Sequence, residues 1–298
     1  MVLEKSRLSK QLRVFEERAK GLITLLSHTV LPVDSKIQAC FTSKLSEKLV
    51  SELKWIRAKL DGCRDKSCFE EVERSIMLFS KSLAALEEEA KYLRAANELE
   101  LKVLFRELAN CREEPLQIPE FSRLFQLCYA EVGLSRIELE LEAVKADFQR
   151  LHASEGIHPN LRGIWERLLQ REEQLLGGVE EELVKAKGVA SSQPCEALKM
   201  LGTIARLASE SRSICEEYKA LKLEFFSHRA VESFIPPKAE SIFRSEEDVK
   251  RMLNERVFER LYSVVYRMLP GEEAEREVAS LLDEYARCIW HEIKAVKA

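Results

Sequence analysis

Residues 69–111 read FEEVERSIMLFSKSLAALEEEAKYLRAANELELKVLFRELANC. Phe69, Val72, Ile76, Phe79, Leu83, Leu86, Ala90 and Leu93 recur at alternating spacings of three and four. That spacing gathers them on one stripe of a helix. After Asn97 the stripe slips by one residue and resumes at Leu101, Leu104, Leu108 and Cys111. Neither Pro nor Gly interrupts it, so the stretch predicts one long amphipathic helix over about 67–113, longer than the mean globular helix. A helix of this kind is not stable alone in water; its stripe has to pack on other helices. The sequence therefore predicts an all-α fold, an elongated bundle of long antiparallel helices. Leu86 and Leu93 are expected in the helix seam. Asn97, at the phase change, is expected either to set register or partner choice there or to turn outward.

Toward the N-terminus, Leu8, Leu12, Phe15, Ala19, Leu22 and Leu26 mark a first helix that ends before Pro32. A second is expected over 35–60, with Leu45, Leu49, Leu53, Ile56 and Leu60 on one face and Asp61-Gly62 as its stop. Toward the C-terminus, Pro115 and Pro119 bound a break before a helix over 120–153. SEGIHPN reads as a loop, and residues 160–187 as a helix slackened at Gly177-Gly178. SSQP at 191–194 starts another helix that runs through Phe225. Pro236-Pro237 mark the expected domain boundary. Beyond them Ser245 and Asp248 have capping-box spacing, and helices over 246–269 and 272–296 form an αα-hairpin joined at Pro270-Gly271. The expected organisation is a long-helix bundle at 1–235 and a C-terminal αα-hairpin at 240–298.

The chain of 298 residues is 46% hydrophobic and 33% charged, with 10 Gly and 8 Pro. High charge with few breakers suits long helices rather than a compact α/β enzyme. No apolar run is long enough to span a bilayer, and the opening MVLEKSRLSKQLR is charged and helical rather than signal-like. Eight cysteines occur singly along the chain. They are expected to be reduced thiols of a cytoplasmic protein, with peripheral membrane association as an option. Cys63 and Cys68 have no matching ligand pair elsewhere, so zinc is not expected.

No GxSxG, phosphate-binding Gly-rich loop, HExxH or EF-hand pattern occurs. Glu87-Glu88-Glu89 and Glu180-Glu181-Glu182 resemble metal carboxylates, yet the Glu-x-x-His of a di-iron bundle is missing. These runs read as solvated faces. His152 and His158 flank one loop and read as incidental. No catalytic residue, metal site or cofactor is expected.

The net charge of −4 conceals an asymmetry: residues 1–60 carry 12 Lys and Arg against 6 Asp and Glu, so the remainder is acidic. Within that region Lys44, Lys48, Trp55 and Lys59 project from the face opposite Leu45, Leu49 and Leu53. They form the candidate patch for an anionic surface. The charge is too weak for nucleic acid as the main ligand.

Three further stretches carry a resemblance: LEEEAKYLRAANELELKVLFRELANCREEPLQIPEFSRLFQL from 86, SRIELELEAVKADFQRLHA from 135, and VEEELVKAKGVASSQPCEALKMLGTIARLASESRSICEEYKALKLEFF from 179. Their succession of helix lengths and breaks resembles a BAR domain over residues 65–230. The resemblance implies a crescent-shaped dimer on curved membranes. Because residues 115–188 hold 9 basic against 13 acidic side chains, lipid contact would fall to the basic N-terminal region. The expected role is thus a non-catalytic scaffold or adaptor, a homo-oligomer that binds helical protein partners and anionic membrane in vesicle traffic. The alternative is a soluble helical subunit of a kinetochore, cytoskeletal or transport assembly without lipid contact.

Overall fold

The computed structural model describes residues 2–111, 119–153, 155–235, 238–267 and 269–295. Among these residues the protein is all-α, with no strand and only one isolated bridge, Ile157 to Ser227. The helices are α1 Val2–His28, α2 Ser35–Gly62, α3 Lys66–Ala95, α4 Glu98–Ala109, α5 Pro119–His152, α6 Arg162–Ala190, α7 Pro194–Leu221, α8 His228–Phe234, α9 Ala239–Ile242, α10 Glu246–Val265 and α11 Gly271–Ala295. A 3-10 turn covers Pro159–Leu161 and a π-helical turn Lys222–Phe226. Gly177-Gly178 leave α6 unbroken.

The long helix expected over 67–113 is two helices. Ala96 ends α3 in an extended conformation, and Asn97 caps α4. Asn97 Oδ1 accepts from Glu100 N at 3.0 Å while Glu100 Oε2 accepts from Asn97 N at 3.3 Å. The reciprocal pair satisfies two amide donors that a helix start leaves open. It makes a break cheaper than the unbroken stripe suggests.

The chain divides into two compact units: residues 1–136 with 184–202, and residues 137–183 with 203–298. Pro236-Pro237, the expected boundary, lie outside the described residues. The chain on either side of them belongs to the second unit, so the units divide elsewhere.

In the first unit α1, α2 and α3 pack on one another. Their stripes bury Leu12, Leu22, Leu26, Phe41, Leu45, Leu49, Val72, Leu83 and Leu86 in one core. Phe41 of α2 stacks on Phe125 of α5 at 3.8 Å between ring centres, and Phe105 of α4 meets Phe125 edge-on at 4.9 Å. Arg18 of α1 donates through both Nε and Nη2 to Glu87 of α3, at 3.0 and 2.6 Å. Asp34 and Asp65 cap α2 and α3, accepting from Lys36 N and Cys68 N.

Three disulfides cross-link this unit: Cys40–Cys128, Cys63–Cys68 and Cys111–Cys195, with Cα–Cα separations of 5.7, 5.5 and 5.6 Å. The expectation of single reduced thiols is corrected here. Two of the pairs lie 88 and 84 residues apart in sequence. Their pairing depends on which helices become neighbours, and cysteine spacing does not show that.

The second unit is built around aromatics. Trp165 of α6 and Tyr218 of α7 are fully buried and meet edge-on at 5.8 Å. Trp165 Nε1 donates to Leu151 O at 3.2 Å, and Tyr218 Oη to Leu168 O at 2.9 Å, so neither ring buries an orphan donor. The π-helical turn brings Phe226 against Trp165, at 5.2 Å, and against Tyr285 of α11, at 5.7 Å. Tyr285 Oη donates to Phe225 O. The α10–α11 hairpin therefore completes this core. As expected, Ser245 and Asp248 form a capping box at the start of α10.

Candidate functional site

The expected anionic-surface patch lies on α2. Trp55 is 57% exposed, and Lys59 Nζ stands 5.2 Å from its ring centre. The lysines, however, already face carboxylates of the same unit. Lys44 Nζ is 2.9 Å from Glu131 Oε1, Lys48 pairs with Glu120, and Lys59 Nζ is 2.9 Å from Glu71 Oε2. The hydrogen bond from Lys59 holds the Glu71 carboxyl below its usual range. Lys44 and Lys48 reach α5 while Lys59 reaches α3, so the four residues do not form one bare basic face. Their partners stand 12 to 87 residues away in sequence, where periodicity along α2 does not point.

Of the expected seam, Leu86 and Leu93 are 1% exposed and lie in the first unit's core. Asn97 is exposed and serves as the cap of α4. The N-x-x-E spacing of Asn97 and Glu100 was the signal for this role, and the apolar stripe running through it hid it.

The first unit offers a more continuous feature in the groove between α1 and α2, about 540 Å³ in volume. Its floor is Ala19 and Ile23 of α1 with Leu49, Val50 and Leu53 of α2. Val50 is 43% exposed between buried Leu49 and Leu53. Lys20, Lys54 and Arg57 stand on the rim against Glu16. Arg57 Nη2 bridges to Glu16 Oε1 at 2.6 Å, and Lys20 pairs with Glu17 at 2.8 Å. Lys54 has no ion-pair partner among the described residues, and exposed Trp55 follows it. Lys54 is thus the one unmatched charge among these rim residues, beside a largely apolar floor. Of the expected patch residues, Lys48 and Trp55 adjoin groove residues in sequence, and none of the four lines the groove.

The acidic runs do not converge. Glu87 serves Arg18, and Glu180 pairs with Lys145. Among the described residues no group of His, Cys, Asp and Glu is arranged to hold a metal ion. His152 Nε2 lies 3.6 Å from Glu173 and His158 Nε2 3.8 Å from Glu292, so each loop histidine does face a carboxylate.

One acidic residue escaped the sequence reading. Glu172 of α6 is fully buried, and neither carboxyl oxygen has a hydrogen bond of ordinary geometry, although Ser211 of α7 is close enough to favour the anion. Burial lifts its carboxyl to about 8, and neighbouring Glu210 adds to the rise. Cys215, also buried, is pushed up to about 11 by the same desolvation. The signal was present: Glu172 falls four residues after Leu168 and four before Leu176, both buried. No cavity opens beside it among those described, so it reads as a feature of the core rather than a reaction centre.

No protein-family model, curated protein or solved structure matches the chain significantly.

Proposed function

We propose that the protein is a non-catalytic helical adaptor that binds a helical protein partner along the α1–α2 groove. One observation carries this reading: half-exposed Ile23 and exposed Val50 line a groove over buried Leu49 and Leu53, with Lys54, unpaired among the described residues, on its rim. A floor of this spacing accepts side chains at i, i+3, i+4 and i+7 of an incoming helix. Lys54 favours a helix with an acidic flank and speeds its encounter. The adaptor is the soluble, assembly-forming alternative among the expected roles. It is favoured over lipid contact because Lys44, Lys48 and Lys59 are matched internally.

Fluorescence anisotropy tests it with a designed amphipathic peptide helix flanked by Glu. That peptide should bind the full chain, Val50→Glu should weaken binding about tenfold or more, and the Lys-flanked version should bind far less. Failure of both peptides overturns the reading. A BAR-like dimer on anionic membrane is the second reading, supported by the exposure of Trp55 beside Lys59. Co-sedimentation with phosphatidylserine vesicles, reduced by Trp55→Ala, is its expected signature. Vesicles that leave the protein in the supernatant remove it.

A further inference from the structure

The first unit is discontinuous in sequence. Residues 184–202 belong to it with residues 1–136; they comprise the end of α6, the turn after it and the start of α7. The side chains this segment buries fully are small: Ala186, Ala190, Pro194 and Ala197. Leu198, Met200 and Leu201 are only half-buried. By contrast α3 buries Phe69, Ile76, Phe79, Leu83, Leu86 and Leu93. Alanines remove little apolar surface from water, so packing holds the segment far more weakly than it holds α3. The seat is close: a Cβ on Gly133 of α5 would come within 2.8 Å of Leu201 Cδ1. What fixes the segment covalently is Cys111–Cys195.

This bond is placed to open. Both residues are half-buried, whereas in the Cys40–Cys128 pair only Cys40 is half-buried and Cys128 is fully buried. Cys63–Cys68 spans only the turn between α2 and α3, where it restrains no distant segment. Cys111 has a φ of 53°, in the left-handed region that side-chain-bearing residues enter at a cost. Cys195 is the second residue of α7, where the helix N-terminus favours a thiolate.

We propose that Cys111–Cys195 is a redox latch that holds residues 184–202 on the first unit and releases them on reduction by a dithiol. The dithiol's thiolate attacks Cys111 Sγ. The S–S bond breaks, and its electron pair leaves on Cys195 Sγ at the start of α7. The second thiol of the reductant, once deprotonated, attacks the mixed disulfide and closes the reductant's own disulfide, expelling the Cys111 thiolate. Two electrons pass from the dithiol to the cysteines, and its two protons are taken up by the thiolates or by solvent. The latch does not depend on the identity of the groove's partner.

Hydrogen exchange on the full chain, combined with disulfide mapping along a dithiothreitol titration, tests this. Cys111–Cys195 should open while Cys40–Cys128 is still closed. Amides of 184–202 should then exchange about tenfold faster or more, with α1–α3 unchanged. Cys195→Ser should show the faster exchange without reductant; if that chain does not fold, the titration of the unaltered protein decides. Three results overturn the latch: unchanged exchange in 184–202 after the bond is lost, exchange rising through the whole first unit at once, or mapping that finds Cys111 and Cys195 unpaired under non-reducing conditions.

Discussion

The two units reach a packed state by different means. The first carries all three disulfides and aliphatic helix stripes around a small Phe cluster. The second has two free thiols, Cys215 and Cys288, and a core of Phe226 with Trp165, Tyr218 and Tyr285, whose indole and phenol groups are each bonded to backbone. It also tolerates a buried, unpaired carboxyl. Cross-links act largely by restricting the unfolded chain, whereas aromatic packing and buried ionisable groups act in the folded one. Redox conditions should therefore govern the first unit, and pH the second.

The largest expected effect comes from deleting residues 238–298. Because Tyr285 closes the aromatic core, the second unit should lose its cooperative melt entirely while the first keeps its own. Scanning calorimetry that still finds two transitions would show the α10–α11 hairpin to be a separate body, as the Pro236-Pro237 boundary suggested.

Next comes Cys40→Ser. Opening the 88-residue separation should cost the first unit roughly 4–5 kcal/mol by chain entropy. Urea unfolding should show that loss in the first unit alone, and a loss shared with the second would break the contrast.

Glu172 sharpens the other side. Its carboxyl is raised from the ordinary 4.5 to about 8, so the folded state holds a proton that the unfolded state releases. The second unit should be most stable below about pH 4.5 with respect to this group and lose that stability as pH rises through 8. The full loss is roughly 3–5 kcal/mol. Glu210, Ser211 and Cys215 of α7 are the other groups near it. Glu172→Gln should flatten the pH dependence, and an unchanged slope in the variant would assign it to other groups.

The smallest effect is at the α3–α4 break. Asn97→Ala removes one arm of the capping box and should destabilise the first unit by about 1 kcal/mol. A stabilised variant in circular dichroism melts would mean that α3 and α4 fuse, as the stripe alone implies.

What the sequence made legible was whatever depends on near neighbours along the chain. The starts of α2, α7 and α10, the burial of Leu86 and Leu93, and the Ser245–Asp248 cap follow from periodicity and capping chemistry. Asn97 was legible too, but its cap competed with an apolar stripe that ran on through it. What required the fold were pairings between distant helices. Lys44 and Lys48 meet α5, Lys59 meets α3, and Cys111 meets Cys195 across 84 residues. Of the groove floor, spacing places Ala19, Leu49 and Leu53 on buried stripes but does not single out Ile23 or show that Val50 stays exposed.

The proposed docking face is the α1–α2 groove of the first unit. Hydrogen exchange of the full chain with and without the Glu-flanked peptide helix measures it directly. Protection should appear at residues 19–24 and 46–57 and leave the second unit unchanged. Protection confined to the second unit, or none at peptide saturation, would contradict it.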